Sequence, residues 1–321
     1  MKVFLRFIAM LAVLIQSGVT YSQAGIVTFG TGANQFQMEF VTIGNPGNAA
    51  DTTGNPTPAG AVAYEYEIGK FEVSRDIITK YNAEFGTSNN LEIDMYFLMG
   101  ISKPAIGISW NEAARFVNWL NTNTGGFAAY NFTTGGVNDD IAVWTAADTL
   151  DYDAANPYRS KRATYVLPSY NEWYKAAYYN PNDSNYYDFP NGSNTAPTAV
   201  ASGTLDNTAV YNQTFAQGPA DVNQAGGLSP YGVMGLAGNA FEWEESSLDL
   251  ANSSNSSSRG IRGGLWYNNF SNNLSSSSRN GIRPSTVSSI IGFRVVSLSS
   301  SAPPPVPEPS MMVIGTLFPG G

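Results

Sequence analysis

Residues 259–273, RGIRGGLWYNNFSNN, bring together two arginines, a glycine pair, a Trp-Tyr pair and four asparagines. Just upstream, GNAFEWEESS at 238–247 carries Glu242, Glu244 and Glu245. Guanidinium groups grip carboxylates and phosphates through paired N–H donors. Carboxylates bind cations or move protons. A carboxamide only donates and accepts hydrogen bonds. Whether this is a working site, a disarmed one or a tight turn depends on what else the chain offers.

The 321-residue chain contains no Cys and no His. That excludes thiol nucleophiles, disulfides, Cys/His zinc sites, Ser-His-Asp catalysis and His-bound iron. A metal would have to be held by oxygen, which favours calcium or magnesium. Acid–base chemistry would fall to Asp, Glu, Tyr or Lys. The formal net charge is −9, and without Lys2 and Arg6 it becomes −11. Such a chain repels nucleic acid and anionic membranes, so a neutral or cationic partner is expected.

The elements that must position these residues are short. QFQMEFVTI and VAYEYEIGKFEVS alternate as strands do. Ser74 caps a helix in RDIITKYNAEF. Ser109-Trp110-Asn111-Glu112 and Ser169-Tyr170-Asn171-Glu172 are capping boxes that open WNEAARFVNWL and YNEWYKAAYY. Their glutamates read as caps rather than catalysts. Residues 180–230 are dominated by Asn-Pro, Asn-Gly and Asp/Asn turn signals. The result is an α+β chain with few helices, short strands and long ordered loops, which carry function or are ordered by ions. Trp110, Trp119, Trp173, Trp243 and Trp266 belong to its core. Tyr178, Tyr179, Tyr186 and Tyr187 either stack on sugars or pack beneath a long loop.

The ends read differently. MKVFLRFIAMLAVLIQSGVTYSQA has the basic start, apolar centre and small-x-small site of a signal peptide over residues 1–24, so export is expected. Residues 299–321 form a Ser/Pro linker and VPEPS, followed by a short apolar stretch. VPEPS resembles the PEP-CTERM sorting signal of exopolysaccharide-producing Gram-negative bacteria, shortened here and without its terminal arginines. It implies engagement with a membrane sorting machinery, and a place in the periplasm, outer surface or extracellular matrix.

Between the ends, YEIGKFEVSRDIITKYNAEF, PAIGISWNEAARFVNWLN, YVLPSYNEWYKAAYY, YGVMGLAGNAFEWEES, RGIRGGLW and GFRVV follow one another in order. Together they resemble the sulfatase-modifying-factor, or formylglycine-generating-enzyme, family over Tyr64 to Val296. The resemblance implies an α+β domain with a C-type-lectin-like core, spanning 25–298. Enzymes of the family oxidise a sulfatase cysteine through a cysteine pair and copper, and another branch makes sulfoxides with His-bound iron. The cysteine positions after RGG correspond to Asn268 and Asn273, so neither copper nor iron is expected here. The resemblance implies calcium on the Glu242 side chain with the Gly238 and Ala240 carbonyls. A second calcium site would use Asn207, Thr208 and Asp221. Where the family usually has Asp or Asn near the first site, this chain has Gly235.

Arg262, Trp266, Asn268, Asn273 and Arg283 are the candidates for lining a groove. Arg262, Arg283 and Arg294 read more naturally as structural bridges between loop carbonyls and carboxylates. The expected function is a secreted, non-catalytic family member acting as a surface or matrix-associated binding module for a polysaccharide, glycan or surface protein. The alternatives are an enzyme using Asp, Glu or Tyr, and last a formylglycine-generating oxidase.

Overall fold

A hairpin starts the fold. Strand β1 (Gly25–Phe29) pairs antiparallel with β2 (Phe36–Ile43), from Gly25 opposite Phe40 to Phe29 opposite Phe36. Along β2, Phe36, Met38 and Phe40 are buried while Gln37 is exposed, so one face joins the core. The computed structural model describes residues 25–96 and 100–298. The expected signal peptide and sorting tail lie outside those residues.

From VAYEYEIGKFEVS, only β3 (Tyr66–Gly69) becomes regular strand, shorter than its alternation predicts. The reason is tertiary: Tyr64 leaves the sheet to donate its hydroxyl to Glu172, at 2.5 Å. Ser74 caps α1 (Arg75–Tyr81), as its sequence predicts. Helix α2 (Trp110–Asn123) buries Ala113, Phe116, Val117 and Leu120. A two-residue strand, β4 (Tyr165–Val166), precedes α3 (Tyr170–Tyr178). Both predicted capping boxes form, with Glu112 accepting from the Ser109 amide at 2.7 Å and Glu172 from the Ser169 amide at 2.6 Å. These bonds satisfy amide donors that a helix start leaves open.

The turn-rich stretch contributes four two-residue strands: β5 (Tyr179–Asn180), β6 (Asn185–Tyr186), β7 (Thr198–Ala199) and β8 (Thr208–Ala209). The described residues end on β9 (Phe241–Ser247), β10 (Arg259–Arg262), β11 (Asn280–Ile282), β12 (Ile291–Gly292) and β13 (Val296–Ser297). Two sheets organise the molecule. One runs β1-β2-β3-β13-β4, so β13 inserts antiparallel between β3 and β4. The other runs β11-β10-β9-β12. Trp110 Nε1 donates to the Glu244 carbonyl at 3.0 Å, and Trp243 Nε1 to the Ile108 carbonyl at 2.9 Å. These bonds pin the start of α2 to β9. Trp110, Trp173, Trp243 and Trp266 are all fully buried, each an aromatic anchor of one contiguous core. Among the described residues, no helix is long and apolar enough to cross a membrane.

Candidate functional site

Strand β9 places three carboxylates in the interior: Glu242, Glu244 and Glu245 are all fully buried. Its pairing with β10 is irregular. Arg259 faces Ser247 and Ile261 faces Trp243, so Gly260 alone stands opposite residues 244–246. This bulge turns neighbouring glutamates to different partners. A Cβ on Gly260 would fall on the Glu244 carboxylate, so only glycine fits. Glu244 accepts from Arg262 Nε at 2.5 Å and Arg279 Nε at 2.7 Å. Arg262 also donates to the carbonyls of Ser278, at 2.9 Å, and Asn55. Burying these charges is tolerable only because each is paired and hydrogen-bonded.

Glu242 accepts from Arg294 Nε at 2.6 Å, from Arg294 Nη2 at 2.5 Å and from Trp173 Nε1 at 2.7 Å. Arg294 continues to the carbonyls of Gly69, at 2.8 Å, and Met234, at 3.0 Å. Beside this pair lies buried Glu72, which accepts from Asn239 Nδ2 at 2.5 Å and the Ala240 amide at 3.1 Å. Burial, followed by the charge of Glu242, pushes the Glu72 carboxyl up to about 8. It is therefore largely protonated at neutral pH.

The loop after β10 turns on Gly263 and Gly264, both at positive φ, +93° and +79°. Asn268 Oδ1 accepts from the Leu265 amide at 2.9 Å and closes this turn. A Cβ on Gly264 would lie 3.4 Å from Asn268 Oδ1 and 3.3 Å from the Asn273 carbonyl oxygen. Positions 268 and 273 thus converge on one turn.

A second feature is an open cleft of about 260 Å³ between residues 61–64, residues 153–159 and the start of α3. Arg159 forms its wall. Its Nη2 meets Glu172 Oε1 at 2.9 Å and the Tyr64 hydroxyl at 3.0 Å, and its Nε lies 3.5 Å from Glu245 Oε2. Glu245 also accepts from the Tyr130 hydroxyl at 2.8 Å and Asn156 Nδ2 at 2.5 Å. Burial opposes ionisation of Glu172, but Arg159 and the hydrogen bonds outweigh it and hold that carboxyl below its usual range. Burial raises Glu245, and Arg159 offsets only part of this. Sequence reasoning treats Glu172 as a cap and does not single out Arg159. The residues of this centre are far apart in the chain, and no local pattern joins them.

The model of the family described as sulfatase-modifying factor enzyme 1-like domain matches residues 34–298. The chain belongs to that family. The fold agrees: the Treponema denticola variable protein 1 superposes with a TM-score of 0.58 at 18% identity, covering 85% of this chain and 98% of that one. The crystal structure of CarF gives a TM-score of 0.53 at 16% identity, covering 82% and 99%. At such identities these likenesses establish the fold. No curated protein sequence matches.

Within the sulfatase-modifying-factor family, the predicted site residues separate into distinct places. Asn268 and Asn273 stand together at the turn where the cysteine pair is expected, and the chain has no Cys to replace it. The groove is not formed as predicted, because Arg262 and Trp266 are buried. Arg262 is drawn inward by Glu244, while Trp266 packs against Phe215 and Tyr267. Arg283 is exposed on the loop following β11. Nor do the residues implied for calcium fit that ion. Both oxygens of Glu242 already hold Arg294, whose fixed positive charge stands where a cation would approach. The carboxylate of Glu72 lies 3.3 Å from where a Cβ of Gly235 would be, filling the space left by the family's usual Asp or Asn. At the second implied site, Asp221 pairs with Lys103 at 3.0 Å and the Thr208 hydroxyl donates to the Leu205 carbonyl at 2.6 Å. Asn207 Oδ1 accepts from Asn191 at 3.4 Å, so the three meet different partners. Among the tyrosines offered for stacking, Tyr178 and Tyr179 are buried. Tyr186 lies beneath the loop near Gly60, donating to its carbonyl at 2.7 Å. Tyr187 is partly exposed and bonds Asp183 at 2.6 Å.

Proposed function

We propose that this protein is a non-catalytic member of its family that works, after export, as a surface or matrix-associated binding module. The observation that carries this reading is Asn268. Its carboxamide closes the turn at Leu265, and the resemblance after RGG makes this the position where the family's oxidative chemistry would use a thiolate. An amide cannot ligate copper as a thiolate or cycle between redox states. The loop keeps its frame and has a hydrogen-bonding group in place of the reactive one.

An acid–base enzyme is the competing reading, and the Glu172–Glu245 pair is its best support, because their environments push the two carboxyls in opposite directions. Yet both are fully buried. Glu172 spends its oxygens on Arg159, Tyr64 and Ser169, and Glu245 on Tyr130, Asn156 and Arg159. That commitment suits architecture better than proton transfer to a substrate. The test is incubation with a sulfatase-type Cys peptide, copper and oxygen, followed by mass spectrometry. The peptide is expected to remain unchanged, and aldehyde formation overturns the reading. Export is tested separately by N-terminal sequencing of the secreted protein, expected to begin after Ala24.

A further inference from the structure

We infer that the cleft beside Arg159 is a subsite for one unit of a neutral, hydroxyl-rich saccharide. This inference rests on the binding-module reading and names where and what the module binds. The cleft is of a size for a single ring-sized group, at about 260 Å³. Its rim carries two aromatic residues, Tyr64, 42% exposed, and Tyr170 at the start of α3. Each ring offers an apolar face to the C–H surface of a sugar; the Tyr64 hydroxyl is held by Glu172 and Arg159, so the hydroxyl left for a ligand is that of Tyr170.

Around the rings the wall is built of amides, Asn156, Asn171 and Asn252. Asn171 spends its side-chain oxygen on the Gly60 amide, at 2.7 Å. Among the described hydrogen bonds, its N–H groups and the Tyr170 hydroxyl remain uncommitted to other protein groups. Carboxamides and phenols both recognise hydroxyl groups, which themselves donate and accept.

The charges favour a neutral ligand over a charged one. An anion drawn to Arg159 would meet a guanidinium already held by Glu172 and Glu245, with Asp153 also on the wall. A cation would meet the guanidinium edge that faces the cleft, 11% exposed, while the carboxylates behind it keep their hydrogen bonds to Arg159, Tyr64 and Tyr130. A neutral polar ligand gains hydrogen bonds without disturbing either charge.

The experiment uses the full chain on an array of neutral oligosaccharides, followed by titration with the glycan that binds. Tyr170→Ala is expected to weaken binding by roughly tenfold, the loss of one stacking and one hydrogen-bonding partner. Asn171→Ala is expected to weaken it to a similar degree. Leu205→Ala, at an exposed residue outside the cleft, is expected to bind as the wild type does. Unchanged melting curves show that the variants are folded; if Asn171→Ala melts early through its lost bond to Gly60, Tyr170→Ala decides alone. Array binding that survives both cleft substitutions overturns the subsite and leaves the module reading intact. Failure of the wild type to bind any neutral glycan overturns the saccharide assignment. The module reading falls only if the peptide-oxidation assay yields aldehyde.

Discussion

Two arginines in this molecule have the same immediate company, a pair of glutamates, and opposite fates. Arg294 grips Glu242, with Glu72 alongside, and its side chain has no exposure at all. Arg159 sits between Glu172 and Glu245, yet its side chain is 11% exposed and its outer edge reaches Tyr64 at a cleft. Around Arg294 the remaining hydrogen bonds go to the backbone carbonyls of Gly69 and Met234, so the centre staples β9 to the end of β3 and to the loop at Met234. Around Arg159 the outer partner is a phenol at the surface. The comparison teaches that buried charge alone does not mark a functional site; of the two centres, the one with an outlet to solvent is the one a ligand could reach.

Removing the sealed arginine is expected to have the largest effect. Arg294→Met leaves Glu242 buried with Trp173 as its remaining donor and strips two carbonyls of their partner. A broken buried pair costs about 3–5 kcal/mol, so chemical denaturation should show a protein near the edge of folding. Wild-type-like stability would mean that Arg294 is no staple.

One glutamate from each centre, Glu72 and Glu172, should respond to pH with opposite signs. The Glu72 carboxyl is raised in the fold, to about 8. Its contribution to stability is present below the ordinary carboxyl range and is lost as pH rises through about 8. Glu172 is depressed in the fold. Its contribution is present above the ordinary range and is lost as pH falls through its lowered value. Denaturation of Glu72→Gln is therefore expected to improve relative to the wild type between pH 5 and 9. Glu172→Gln is expected to be worst near neutrality and to approach the wild type in acid. Parallel trends in the two variants would erase the distinction between the centres.

Arg159→Met should be milder than Arg294→Met, at about 2 kcal/mol, because water from the cleft can reach the glutamates it leaves behind. Equal losses by denaturation would show that the cleft gives no solvent access.

The contrast also explains what could be read in advance. Both capping boxes, the Ser74 cap and strand β2 follow from spacing within a dozen residues, and the buried tryptophans from their residue type. The family follows from ordered motifs. The charge centres do not, because their members are joined only by tertiary contact: Glu72 meets Asn239 across 167 positions, and Tyr130 meets Glu245 across 115. Glu172 hid its second role behind its first. It is a helix cap by local pattern and the anchor of Arg159 and Tyr64 by long-range packing. The motif GNAFEW points to calcium only if nothing else has claimed Glu242, and the claimant, Arg294, lies in another motif 52 positions away.

The smallest expected effect is the one that tests the sealed centre most directly. A metal that binds the folded state at a concentration far above its dissociation constant raises stability, by about 2.7 kcal/mol at a hundredfold excess. Calcium on Glu242 would have to displace two guanidinium hydrogen bonds and leave Arg294 charged and unpaired in the interior, a penalty of the size expected from breaking the pair itself. Millimolar calcium and EDTA should therefore give the same melting temperature for the wild type. A rise with calcium that disappears in Glu242→Gln would show that Arg294 yields its place, and the sealed centre would then be an open one. A rise that persists in Glu242→Gln would put the ion elsewhere and leave the comparison between the two arginines standing.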